Sequence, residues 1–423
     1  MPDTRVPGGP VRASAPAVFL HIGAMKTGTT FLQNLLIENK DALASAGYLF
    51  PGHTWVRQIR AAQDLLGATH GDPVIQSEAR GAWEAIAQQM LEHKGTASVL
   101  SMEFLSYARS RQARRAVTSL ASAEVHVILT ARDTTATIPS QWQTTVRSGK
   151  TINWPDFMQG TRKAAGFRAR RGPLSDPAAL KFQRSQDIAR MLEVWGRYLP
   201  PERLHVVTVP TEPANPKLLW ERFAAVIGLD PDLSSNASHA NESLGYTSTE
   251  LLRRVNLELG PVPPTDYNAT VRKHLARGVL ATRSGNEVRP LLDRETCAFG
   301  LAWNGRTRQG VIDSGALLAG DLRDLPTTMT AAQERVTDDE QPPPTQADLL
   351  EVAEVAADAM RMLVDSRARR ARKRGVDLEE VRRDRPSKAR GSGAGGDDPV
   401  SSSAAEIADL CRHAIELRRR IRA

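Results

Sequence analysis

The sequence predicts an α/β fold: a parallel sheet flanked by helices, continued by a mostly helical C-terminal extension. Three observations predict it. Short apolar runs alternate with helix-period patterns over the first 230 residues, which is how strands joined by crossover helices read. The first of those runs passes directly into a glycine-bracketed turn and then a helix. The last helix of the alternation carries both a start signal and a stop signal.

Taken in order, residues 1–16 are polar and rich in Pro and Gly, and are expected to be disordered. Residues 18–22 form an apolar strand, followed by Gly23-Ala24-Met25-Lys26-Thr27-Gly28-Thr29-Thr30. A strand, a Gly-rich turn and a helix together make a cage of backbone N–H groups for an anion. The two glycines keep the spacing of the nucleotide-triphosphatase loop G-x-x-x-x-G-K-[ST]. The lysine departs from it: Lys26 lies inside the turn, and Thr29 follows the second glycine. Thr30 is expected to cap the helix with Gln33 completing a capping box, and Phe31, Leu32, Leu35 and Leu36 form the apolar stripe behind. Further helical stretches run around 31–46 and 77–92, with strands at 97–102, 125–131 and 204–209.

The 125–131 strand ends in Arg132-Asp133, and Ser140 follows eight residues after the arginine. Arg132 at a strand's carboxyl end offers a planar fork to phosphate oxygens, and Ser140 adds a hydroxyl. Asp133 can either orient the arginine or cap the next helix. Residues 160–177 are Arg/Gly-rich with little periodicity. Asn215 then caps a helix that takes Pro216 in its first turn and closes at Gly228.

Beyond 240, Thr247-Ser248-Thr249-Glu250 reads as a second capping box. Residues 334–346, with Pro342-Pro343-Pro344, read as a linker. A helix is expected around 346–374, a disordered Gly/Ser stretch over 385–404 and a short basic helix over 405–420.

Composition bounds the function classes. The 423 residues, 41% hydrophobic, allow a large α/β domain plus an appendage. No run of eighteen apolar residues is present, so no membrane span is expected. The N-terminal apolar stretch leads straight into the anion loop and reads as core rather than secretory signal. Two distant cysteines, Cys297 and Cys411, support neither a disulfide framework nor a metal site, and a cytoplasmic location is the expectation. The net charge of +8 owes much to the run from Arg367 to Arg374. Such a run is most often a solvated helical face, so nucleic acid is not the expected partner.

Lys26-Thr27-Gly28-Thr29-Thr30 after a strand resembles the 5′-phosphosulfate loop of sulfotransferases that use 3′-phosphoadenosine 5′-phosphosulfate (PAPS). Arg132 and Ser140, in the same order and spacing, resemble that family's 3′-phosphate motif. The resemblance covers about residues 17–230. It implies a P-loop-like parallel sheet of bacterial sulfotransferase type and PAPS as co-substrate, with no metal. Cofactor contacts are implied at Lys26, Thr27, Gly28, Thr29, Thr30, Arg132 and Ser140. On this reading residues 17–260 form the α/β domain, with 147–203 as the lid or substrate region. Residues 261–345 are extension and linker, and 346–423 a helical, basic, partly disordered tail.

Sulfuryl transfer resembles phosphoryl transfer, an in-line displacement in which the protein positions groups and stabilises charge. Lys26 is placed to neutralise charge on the departing phosphate. The candidate general base is Glu103, at the carboxyl end of the 97–102 strand, where partial burial could bring its pKa into a useful range. Cytosolic sulfotransferases carry a histidine at that strand end, and several carbohydrate and protein sulfotransferases use a glutamate. Glu103 could instead pair with an arginine or cap the following helix. His53 and His70 read as surface residues, His21 and His126 as core or sheet-edge residues. Trp142, Trp154 and Phe157 read as helix-packing aromatics.

The Arg-Lys-Gly segment of the cytosolic branch has no counterpart after residue 230, where residues 241–246 are the candidate nucleotide-facing stretch. The expected acceptor is a hydroxyl of a carbohydrate, glycolipid or small metabolite; the sequence assigns neither its identity nor an oligomeric state. The rival readings are a P-loop small-molecule kinase or NTPase, which requires lysine where Thr29 stands, and a nucleic-acid-binding protein working through the Arg-rich tail.

Overall fold

The computed structural model describes residues 16–52, 54–69, 73–166, 176–211, 216–233, 243–330, 334, 341–378 and 398–422. The readings made above for residues 1–15, His53, His70, the Asn215 cap, Asn241, Glu242 and most of 385–404 lie outside them, as do 167–175 of the Arg/Gly-rich stretch and most of the acidic part of the linker.

The fold is α/β, with a six-stranded all-parallel sheet flanked by helices. Its strands are β1 (Ala17–Gly23), β2 (Tyr48–Leu49), β3 (Ala97–Ser101), β4 (Glu124–Ala131), β5 (Leu204–Thr208) and β6 (Leu317–Ala319), in the spatial order β2-β3-β1-β4-β5-β6. Both faces of the sheet are covered, so the strands read as near-continuous apolar runs. Val18, Leu20 and Ile22 of β1 pack into one core with Val125, Val127 and Leu129 of β4 and Leu204 and Val206 of β5. Phe19, Ile128 and Val207 point to the opposite core, with Leu32, Leu35 and Leu36 from the Thr29–Glu38 helix and Phe223 and Ile227 from the Pro216–Ile227 helix. Each such fully buried side chain contributes roughly 1.5–3 kcal/mol relative to exposure.

The register Ala17↔Ala97 and Ala17↔Glu124 sets β3 and β4 on either side of β1, with all three carboxyl ends on one edge. The chain visits β2 and β3 on one side of β1 and β4, β5 and β6 on the other. This reversal opens the crevice where α/β sheets take their ligands.

The residues divide into two compact units. One comprises 1–137, 160–241 and 295–334 and contains the sheet; the other comprises 138–159, 242–294 and 335–423 and is helical. The sheet unit therefore does not end at 260 as expected. Its edge strand β6 comes from Leu317–Ala319 and pairs with β5 through His205↔Leu317, so the 261–345 stretch is divided between the units. The expected lid at 147–203 is likewise divided, and its Ile188–Gly196 helix is core: Met191, Leu192 and Trp195 bury against β4 and β5.

In the helical unit, the Tyr246–Leu259 helix starts at Gly245 with no side-chain cap, so the expected Thr247–Glu250 capping box does not form. The Glu287 carboxylate accepts from the Ser248 amide at 2.9 Å and from its hydroxyl at 2.5 Å instead, while Glu250 pairs with Arg253 and Arg254. Trp142, Trp154 and Phe157 are buried against one another, ring centroids 5.2 and 6.2 Å apart, and pack as read. No helix among the described residues is long and apolar enough to cross a membrane.

Candidate active site

The loop after β1 is a tightly held backbone structure. The Ala24 amide donates to the Thr130 carbonyl at 3.0 Å and the Met25 amide to the Ser185 carbonyl at 3.3 Å. The Gln186 side-chain amide donates to the Met25 carbonyl at 2.6 Å. At the turn itself Lys26 adopts φ 65°, left-handed backbone that costs a non-glycine residue about 1–3 kcal/mol. Gly28 follows at φ 83° and is the N-cap of the Thr29–Glu38 helix.

That cap makes no side-chain hydrogen bond, so the expected Thr30–Gln33 capping box is absent. The helix begins two residues earlier than the pattern suggested, capped at Gly28 rather than Thr30, because glycine enters the left-handed cap without strain. The leading amides of Thr29, Thr30 and Phe31 consequently have no carbonyl behind them in the helix, and the positive end of its dipole faces out.

Gln33, released from capping, turns to the neighbouring strand end. Its side-chain amide donates to Glu103 Oε2 at 2.6 Å. Glu103 opens the 3₁₀ turn Glu103–Tyr107 directly beyond β3 and is half-buried. Gln33 thus fixes the carboxylate through Oε2. Tyr107 donates to the Met25 sulfur at 3.1 Å; burial, with the Glu103 charge adding to it, pushes its pKa up to about 12, so it stays a neutral donor.

Thr27 differs from expectation. Its hydroxyl donates to the Ala24 carbonyl at 2.6 Å and meets the Thr130 hydroxyl, inside the end of the sheet. A buried hydroxyl needs such partners, so Thr27 can offer a ligand only its amide. His21 lies beneath, fully buried, with Nδ1 2.7 Å from Ser101 Oγ and Nε2 3.3 Å from Thr130 Oγ1. Burial drives its pKa down to about 3, which makes it a neutral strut. His126 stacks on Phe19 and bonds His205 at 2.9 Å, also as packing.

Arg132 follows β4 and is half-buried. Asp133 caps the next helix: its carboxylate accepts from the Thr135 amide at 3.0 Å and from Asn304 Nδ2 at 2.7 Å. Asn304 Oδ1 in turn accepts from the Thr134 amide at 2.9 Å, which anchors the start of the Thr134–Val146 helix. Ser140 lies on this helix, half-buried.

With adjacent strands about 4.8 Å apart, the ends of β3 and β4 stand roughly 10 Å from each other across β1. Glu103, the Gly23–Thr30 loop and Arg132 thus share one edge of the sheet. Among the described residues no group of three or more His, Cys, Asp or Glu is arranged to hold a metal ion.

No protein-family model matches the chain, and no curated protein matches it in sequence. Among solved structures, a sulfotransferase from Alicyclobacillus acidocaldarius is similar over 58% of this chain and 95% of its own, at 14% identity and a TM-score of 0.36. A likeness at that score carries no weight for activity.

Gln33, Tyr107, Gln186 and Asn304 escaped sequence reasoning. Gln33 alone carried a signal, and it pointed to a cap.

Proposed function

We propose that this chain is a sulfotransferase that moves a sulfuryl group from PAPS to a hydroxyl of a carbohydrate, glycolipid or small metabolite. The observation that carries the reading is the shared sheet edge: an uncapped helix start with Lys26 in its loop, flanked by Arg132 beyond one neighbouring strand and Glu103 beyond the other. The residues present fit a phosphate ester. The leading amides of the Thr29–Glu38 helix have no side-chain oxygen at their cap, which is the condition for taking a ligand's oxygens instead.

In this reading the amides of Thr27, Gly28, Thr29 and Thr30, with the hydroxyls of Thr29 and Thr30, hold the 5′-phosphate. Arg132 and Ser140 hold the 3′-phosphate. The acceptor oxygen bonds to sulfur as the bond from sulfur to the bridging oxygen breaks. The acceptor's proton passes to Glu103 Oε1, while Gln33 keeps the carboxylate oriented through Oε2. The electron pair leaves on the bridging oxygen, where the Lys26 ammonium and the helix dipole offset the growing charge.

Calorimetric titration with adenosine 3′,5′-bisphosphate and with ATP tests the cofactor. The bisphosphate should bind more tightly than ATP, and Arg132→Ala should weaken it by roughly 10- to 100-fold, the worth of a charge-assisted pair. Preference for ATP, or indifference to Arg132, overturns the reading and favours a kinase or NTPase.

A further inference from the structure

The helical unit holds a cavity of its own, of about 400 Å³. Its wall comes from three helical segments: the π-helix Asn268–Arg277, the helix Gln346–Lys373 and the helix Pro399–Arg422. Among the described residues the charged lining consists of Lys273, His274, Arg367, Arg370, Arg418 and Arg422; the rest is apolar apart from one serine, with no carboxylate.

The run from Arg367 to Arg374 is therefore more than a solvated face. Arg367 is drawn inward and fixed by three neutral acceptors: Thr270 Oγ1 at 2.9 Å, the Ala414 carbonyl at 2.6 Å and the Ala269 carbonyl at 3.1 Å. These occupy three of its N–H groups without cancelling its charge. Arg418 is neutralised by Asp266 at 2.9 Å, a carboxylate that also holds Arg419. Arg370 and Lys273 are exposed at the wall. The field inside is positive: burial together with Arg418 and Arg370 lowers the Arg367 pKa to about 10, and Arg367 and Lys273 add to the burial that disfavours a proton on His274. Like charges gathered in a concave, partly desolvated space repel one another, and a bound anion relieves that repulsion.

We infer that this cavity binds a small polyanion carrying two or more phosphate-class groups. The volume lies within the range of small-molecule sites, roughly 300–1,000 Å³. Five permanent cations line it, one of them paired to Asp266; the other four are more than a single phosphate engages through bidentate and point contacts. A half-open pocket of about 400 Å³ between helices suits a compact ligand better than an extended strand of nucleic acid, which calls for a long groove. None of the lining residues belongs to the proposed transfer site, so the inference stands independently of the sulfotransferase reading.

The test uses the full chain in a Lys26→Ala/Arg132→Ala background, which removes the anion contacts proposed at the sheet edge. Inorganic triphosphate, orthophosphate and a ten-nucleotide single-stranded RNA are titrated calorimetrically at constant ionic strength. Triphosphate should bind at one site per chain, at least tenfold more tightly than orthophosphate. Adding Lys273→Gln/Arg370→Gln, two exposed positions, should weaken it by roughly tenfold per cation removed, with the thermal unfolding midpoint unchanged. Triphosphate affinity indifferent to Lys273 and Arg370, or no greater than that of orthophosphate, overturns the site. RNA binding more tightly than triphosphate overturns the small-ligand assignment in favour of nucleic acid.

Discussion

Gly28→Ala is the sharpest test of the loop geometry, because two separable costs meet at that residue. Its φ of 83° is left-handed, and a Cβ there would lie 2.5 Å from Leu219 Cδ2. The backbone cost for a residue with a Cβ is about 1–2 kcal/mol, and forcing the Leu219 side chain aside adds about 1–3 kcal/mol. Gly67 serves as the control: at φ 64° it has the same backbone problem, but a Cβ there would meet nothing within 4 Å. Gly67→Ala should therefore lose only the backbone share, and Gly28→Ala should exceed it by the packing share. Because two units unfold in one chain, a global transition can mix them. Native-state hydrogen exchange of β1 and β4 amides, read with urea unfolding, isolates the sheet unit. Equal losses for the two variants would mean that Leu219 does not press on the loop, and that the helix start is looser than its cap implies.

Three other outcomes follow from the same geometry. Lys26→Ala should lower the turnover of labelled sulfuryl donor by roughly 10²–10³-fold while affinity for adenosine 3′,5′-bisphosphate changes far less; a loss confined to binding would contradict the role given to Lys26. Glu103→Gln should cost roughly 10²–10⁴-fold in turnover, and unchanged rates would remove Glu103 as the base. The buried histidines should make stability pH-dependent. His21 is neutral in the fold down to about pH 3, whereas the unfolded chain protonates it below about 6.5. The unfolded state thus binds more protons between those values, so this contribution is whole above 6.5 and is lost as pH falls, by up to about 1.4 kcal/mol per unit. His205, held down to about 4 by burial and by His126, acts in the same sense. Urea unfolding at pH 7.5 and 5.5 should show a shallower pH slope for His21→Asn; an unaltered slope would mean that His21 titrates normally.

Much of the sheet was legible because its signals are local. The four longer strands are apolar on both faces, and a run such as Val125 to Ala131 announces itself without knowledge of its neighbours. β6 is only three residues long and sits at the sheet edge, so nothing in Leu317–Ala319 separates it from a turn. The capping patterns at Thr30–Gln33 and Thr247–Glu250 were real as spacings and misleading as structure. In both cases a glycine started the helix first, and the side chains found other partners.

The chain's linear order alone determined the glycine turn, its lysine and the arginine after β4, because each is a contiguous segment whose backbone preferences need no distant contact. Only the tertiary structure decided that Glu103 is gripped by Gln33, that the Thr27 hydroxyl faces the sheet, and that Arg367 turns inward among its own kind. Those outcomes depend on which atoms long-range packing brings within hydrogen-bond reach. A buried polar group takes whatever partner the fold supplies, and no spacing along the sequence records which one that is.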